Sequence, residues 1–127
     1  MTTVDKLVAS DGVMLGITYL HDCAWDKFSD IVCNELDRYR KGGMKNVEER
    51  LNDAGYKCQI LKTVDSYIWG NTLEELFFIL SFFYKSNISG YLDNKEKFIK
   101  LLDKYTCILN DLIVINVKEA IFEIKRK

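Results

Sequence analysis

Residues 72–86, TLEELFFILSFFYKS, limit the architectures open to this chain more than any other stretch. Four phenylalanines, Phe77, Phe78, Phe82 and Phe83, fall within seven positions. A helix that crosses a bilayer needs about 20 apolar residues. Here the uninterrupted apolar run covers only residues 76–80, stops at Ser81, and is flanked by Glu74, Glu75 and Lys85. The segment therefore cannot span a membrane. Thr72 and Glu75 have the spacing of a capping box, which opens a helix. At about 100° per residue, Glu74, Phe78, Ser81 and Lys85 share one narrow stripe. The pattern predicts a helix buried on nearly every side with one thin polar edge. All four phenylalanines are expected in the core, with one alternative: Phe78, among polar neighbours, serves as a partly exposed anchor for a partner.

A buried helix needs a core around it, and 127 residues suffice for one. A chain of this length buries roughly two thirds of the surface its unfolded form exposes, without help from a metal or disulfide. Apolar residues make up 48% and charged residues 29%, which excludes disordered and low-complexity classes. The first twenty residues carry one lysine before their apolar stretch and aspartates at 5 and 11, unlike a secretory signal. Cys23, Cys33, Cys58 and Cys107 form no C-x-x-C pair. In a chain without a signal they read as reduced, mostly buried thiols, and the expected compartment is the cytoplasm. Abundant Asn, Ile, Lys and Tyr without any proline suggests an AT-rich gene of a mobile or viral element.

Along the chain, Asp11-Gly12 is either a two-residue hairpin turn between 6–10 and 13–18 or part of a helix weakened by two glycines; the hairpin is favoured. From Asp22, a capping candidate, Trp25, Phe28, Val32, Leu36 and Tyr39 recur at helical spacing until Gly42-Gly43. Residues 46–55 open with Asn46 and Glu49 in capping-box spacing and close on Gly55. Residues 56–64 alternate as a strand. Phe98, Leu101, Leu102, Tyr105, Ile108 and Leu109 form one helical stripe, and β-branched residues favour a strand near 112–117 over a terminal helix. No repeat or linker interrupts the chain. The expectation is a helix-rich α+β single domain, residues 1–127, with a small antiparallel or mixed sheet.

Motifs for chemistry are sparse. His21 is the sole histidine, so a multi-histidine phosphohydrolase site cannot form, and the spacing of His21, Cys23 and Cys33 fits no usual zinc pattern. No glycine loop for phosphates is present. The expectation is no cofactor, no metal and no catalytic residue, hence not an enzyme. A helix-turn-helix would use residues 47–54 as recognition helix, but Glu48, Glu49 and Asp53 oppose Arg50 there, the wrong sign for phosphate. Direct nucleic-acid binding is not expected.

Charge distribution is more informative. Residues 1–37 hold seven acids against two bases, and residues 38–62 seven bases against three acids. On a helix from 22 to 41, Asp26, Asp30 and Asp37 form one stripe about 100–140° from Trp25, with Cys33 beside them. Like charges one turn apart oppose helix formation slightly, so local stability does not account for the stripe. It is either a solvated face, with Asp37 paired to Lys41, or a recognition face for a basic partner. The acidic, aromatic segment DCAWDKFSDIVCNELD, residues 22–37, resembles the bacterial immunity proteins that neutralise nuclease toxins, including those of contact-dependent growth inhibition systems. That resemblance implies a cytoplasmic protein whose partner is a cognate toxin, a nuclease, held by Asp22, Asp26, Asp30 and Asp37 over its basic cleft; Phe78 is the added apolar contact. Two alternatives stand: a phage or viral protein that binds a host factor, and a small nucleic-acid-binding regulator using Arg38, Arg40, Lys41 and Lys45.

Overall fold

A computed structural model describes residues 12–37 and 43–127. In order these form β1 (Met14–Tyr19), α1 (Ala24–Glu35), α2 (Met44–Asp53), β2 (Tyr56–Gly70), α3 (Leu73–Leu80), a 3-10 segment (Ser81–Asn87), α4 (Ile88–Asp93), α5 (Lys95–Asp103), β3 (Thr106–Leu109) and β4 (Leu112–Arg126). The fold is α+β with an antiparallel sheet. Strand order is β1-β4-β2, and β3 also pairs with β4. The described residues fall into two compact units: 12–21, 43–65 and 118–127 in the first, 22–37 and 66–117 in the second. Strands β2 and β4 contribute to both.

In the first unit, β1 pairs antiparallel with β4 from Met14↔Ile124 to Tyr19↔Glu119. Ala120, Phe122 and Ile124 present one face, and Met44 and Leu51 of α2 close over it together with Tyr56. Gly16 lies under the Phe122 ring; a Cβ there would come within 2.5 Å of the ring's Cζ. The start of α2 corrects the expected capping box. Gly43 is the N-cap, at φ 94°, and Asn46 lies inside the first turn. The cap comes from far along the chain: the Lys45 N–H donates to His21 Nε2 at 3.3 Å, across 24 residues, satisfying one of the N–H groups a helix start leaves open. Gly55, at φ 91°, ends this helix as expected, in a conformation glycine adopts without strain. The favoured hairpin turn at Asp11-Gly12 and its first arm fall largely outside the described residues; the second arm is β1.

The second unit is built on stacked aromatic rings. Tyr91 stacks on Phe77 at 4.4 Å and on Tyr84 at 4.7 Å between ring centroids, with Phe28, Leu80, Phe98 and Leu102 fully buried around them. Both tyrosine hydroxyls find acceptors inside: Tyr91 donates to the Phe77 carbonyl at 2.7 Å, and Tyr84 to Ser29 Oγ at 2.8 Å. A buried hydroxyl without an acceptor would cost about 1–3 kcal/mol, so these bonds fix where each ring sits.

Three expected elements end differently here. The helix expected to reach Gly42 stops at Glu35: Leu36 is its C-cap, and Asp37 turns left-handed at φ 51°, which an aspartate tolerates better than most residues. The helix from Thr72 begins as expected, Glu75 N–H donating to Thr72 Oγ1 at 3.1 Å. It ends at Leu80, because the Ser81 hydroxyl bonds back to the Phe78 carbonyl and competes with the helical ladder. The following 3-10 segment breaks its twist at Tyr84, φ −123°. Tyr84 turns inward while Phe82 and Phe83 stay 62% and 42% exposed. Only Phe77 of the four phenylalanines is core. Finally, Ile108 and Leu109 belong to β3 rather than to a helical stripe, and both are exposed. Asn110 and Asp111, at φ 51° and 63°, make the two-residue hairpin turn into β4 with both central residues left-handed.

Candidate protein-binding surface

Helix α1 places the acids. Trp25, Phe28, Ser29, Val32 and Cys33 are its buried residues, spanning about 140° of arc at 100° per residue. Cys33, at the edge of that arc, is buried and still lies beside the acidic stripe. Asp26 borders the buried arc and is half-buried; Asp30, one turn on, is exposed. Asp22 lies outside the helix at φ 72°. The N-cap is Cys23, without a side-chain capping bond. Asp22 is therefore no cap. Its N–H donates to the Asp26 carboxylate at 3.2 Å, and its own carboxylate pairs with Lys27 at 3.3 Å. An acid in a helix's first turn complements the positive end of the dipole, so Asp26 serves the helix as well as the surface.

The expected stripe of three aspartates reduces to two. Asp37, beyond the helix end, lies instead at an open groove of about 480 Å³ with Glu35, Leu36 and residues 86–90. Its expected pairing with Lys41 falls outside the described residues, as do Arg38 and Arg40. Among the described residues, the carboxylates of Asp30 and Asp37 have no hydrogen-bond or ion-pair partner.

Of the exposed aromatics, Phe83 and not Phe78 is in ring contact with α1. Phe78 is 46% exposed; its ring meets Phe77 edge-on at 5.3 Å, and Lys95 Nζ, itself paired with Glu74, lies 5.1 Å from its centroid. Phe82 and Phe83 meet at right angles, 5.5 Å apart, with Lys85 Nζ 4.3 Å from the Phe82 centroid. Phe83 in turn packs on Trp25, 4.7 Å between centroids. Exposed aromatics thereby adjoin the helix turn that carries Asp26. The periodic reading missed Phe82 and Phe83 because it extended one helix through Ser81; a serine able to bond back to the preceding turn was the available signal.

Among the described residues no three His, Cys, Asp or Glu side chains gather as metal ligands, and no helix is long and apolar enough to cross a membrane. No protein-family model matches the chain, and no curated protein matches it. Among solved structures, the chain is similar to the YcgJ protein from Bacillus subtilis, with a TM-score of 0.51 and 17% identity over 93% of this chain and 53% of that one. The chain thus spans about half the length of YcgJ, and at that identity the likeness concerns the fold alone.

Proposed function

We propose that the chain is an immunity-type binding protein rather than an enzyme, acting in the cytoplasm to neutralise a cognate toxin, a nuclease, by covering its basic active-site cleft. The observation that carries this reading is the contact of exposed Phe83 with Trp25 on the helix turn that bears Asp26, with Asp30 one turn further along. Aromatic side chains supply much of the energy of protein interfaces, and acids around them steer a basic partner and set its register. A nuclease cleft is basic because it must hold phosphates, so acids and aromatics together suit it. Asp30 supplies an unpaired charge, Asp22 and Asp26 a fixed one, and Phe78, Phe82 and Phe83 the apolar contact. Asp37, away from the helix, is a peripheral contact.

The test coexpresses the chain with the product of the adjacent gene, where that product alone arrests growth. Asp26→Lys with Asp30→Lys reverses the acidic face, and protection should be lost; because Asp26 also accepts from the Asp22 N–H and sits at the positive end of the helix, the double variant should lose about 1 kcal/mol of stability and stay folded. A double variant that stays folded and protects fully would overturn the proposal.

A further inference from the structure

Strand β2 has β4 on one edge, and among the described residues no strand runs along the other. The alternation of an antiparallel strand decides which main-chain groups face that outer edge. Lys127 N–H bonds the Gly55 carbonyl, which turns residue 55, and with it 57, 59, 61, 63 and 65, toward β4. Residues 58, 60, 62 and 64 then point their N–H and C=O groups outward. The opposite strand agrees: the Lys118 carbonyl accepts from Leu20 on the β1 side, so odd-numbered residues of β4 serve β2. On one face of the strand, Lys57, Gln59, Leu61, Thr63 and Asp65 are all exposed, Leu61 by 51%. Sheet edges of this kind are commonly blocked by proline, and this chain has none.

We propose that this edge pairs two copies of the chain, β2 against β2, antiparallel about a two-fold axis at Leu61. Such an axis, perpendicular to the sheet, requires opposed residues to share a face, which allows only registers centred on a residue. Centred on Leu61, Lys57 opposes Asp65 of the second copy and the reverse, Gln59 opposes Thr63, and Leu61 meets itself. Centred on Lys62, lysine would oppose lysine. In the Leu61 register the charged pairs occupy the non-hydrogen-bonded positions, where opposed Cα atoms are about 4.5 Å apart and side chains interact most closely. Residues 58, 60, 62 and 64 supply the new ladder. This self-association belongs to the first unit and does not depend on the proposed toxin contact.

The experiment measures mass by light scattering after size exclusion, with melting curves for each variant. The unmodified chain is expected at twice the monomer mass. Lys57→Asp alone and Asp65→Lys alone each set like charges opposite one another, and each should run as a monomer. Mixed, the two variants oppose each introduced charge with its opposite and should form a dimer. A monomeric unmodified chain, single variants that remain dimeric, or a mixture that stays monomeric overturns the proposal. Should either variant melt early, Leu61→Cys in a Cys58→Ser, Cys107→Ser background decides: mild oxidation should link the copies through position 61, and failure to link them refutes the register.

Discussion

The two units reach stability by different routes. The first lays α2 on one face of the strands, and its core of Met44, Leu51, Ala120, Phe122 and Ile124 holds no hydroxyl except that of Tyr56. The second packs rings against rings and ties Tyr84 and Tyr91 to Ser29 and the Phe77 backbone. Aliphatic contacts are non-directional and tolerate substitution of similar volume, whereas a buried hydroxyl must meet its acceptor or be left unsatisfied. The second core is therefore specified more narrowly. The exposed apolar residues differ in part: in the first unit they lie along strands, as Leu15, Ile17 and Leu61, whereas the second carries them both on strands, as Trp69 and Ile108, and at a broken helix, as Phe78, Phe82 and Phe83.

The sharpest test sets Phe77 against Phe82, five residues away in the same run. Phe77→Ala removes a fully buried ring that stacks on Tyr91, and should cost about 3–5 kcal/mol in denaturant unfolding. Phe82→Ala, at an exposed position, should stay within about 0.5 kcal/mol. Equal losses would show that the break at Ser81 does not hold in solution. In the first unit, Gly16→Ala drives a methyl into the Phe122 ring; the ring has to shift, for an expected loss of about 1–3 kcal/mol. A neutral result there would mean that this core is looser than its geometry.

What the sequence made legible was local. The Thr72 cap is a three-residue pattern, the Gly55 stop one residue, and the strand near 112–117 a run of β-branched side chains that forms the first part of the observed β4, Leu112–Arg126. What it hid was conformation chosen by a single residue against a continuing pattern. Leu36 keeps the apolar period of α1 although the backbone turns away at Asp37, and Ile108 keeps that of α5 although Thr106 has already entered a strand. The His21 cap on α2 depends on tertiary contact across 24 residues, which no window detects. Of the candidate surface, Asp26, Asp30 and the exposure of Phe78 were legible from helical spacing, and Phe82 and Phe83 were not.

A milder test uses pH. Burial first, and the neighbouring Tyr84 second, push the Tyr91 hydroxyl far above its ordinary range. Below about pH 10 the phenol is protonated in both folded and unfolded chains and pH has no leverage through it. Above that, the unfolded chain gains by ionising while the folded one cannot, so stability falls as pH rises, by up to about 1.4 kcal/mol per pH unit for this group. Tyr91→Phe should melt earlier at neutral pH, having lost the bond to Phe77, and should flatten the alkaline slope. An unchanged slope would place the loss elsewhere than in this ring.

The smallest effect distinguishes the units by rate rather than stability. Cys107 is exposed on β3, Cys58 half-buried on β2, and Cys23 and Cys33 buried in the second unit. Burial, and then the charge of Glu48, raise the Cys58 thiol above its ordinary range, which lowers its reactive thiolate at neutral pH. With a soluble thiol reagent, one cysteine should react at once, and Cys107→Ser should abolish that phase. Cys58 should follow slowly, at a rate that increases with pH. Cys23 and Cys33 should react only as the second unit opens, so Phe77→Ala should accelerate them far more than Cys58 if opening of that unit is local. Equal acceleration at Cys33 and Cys58 would mean that the two units open as one, and the contrast between their cores would not extend to their dynamics.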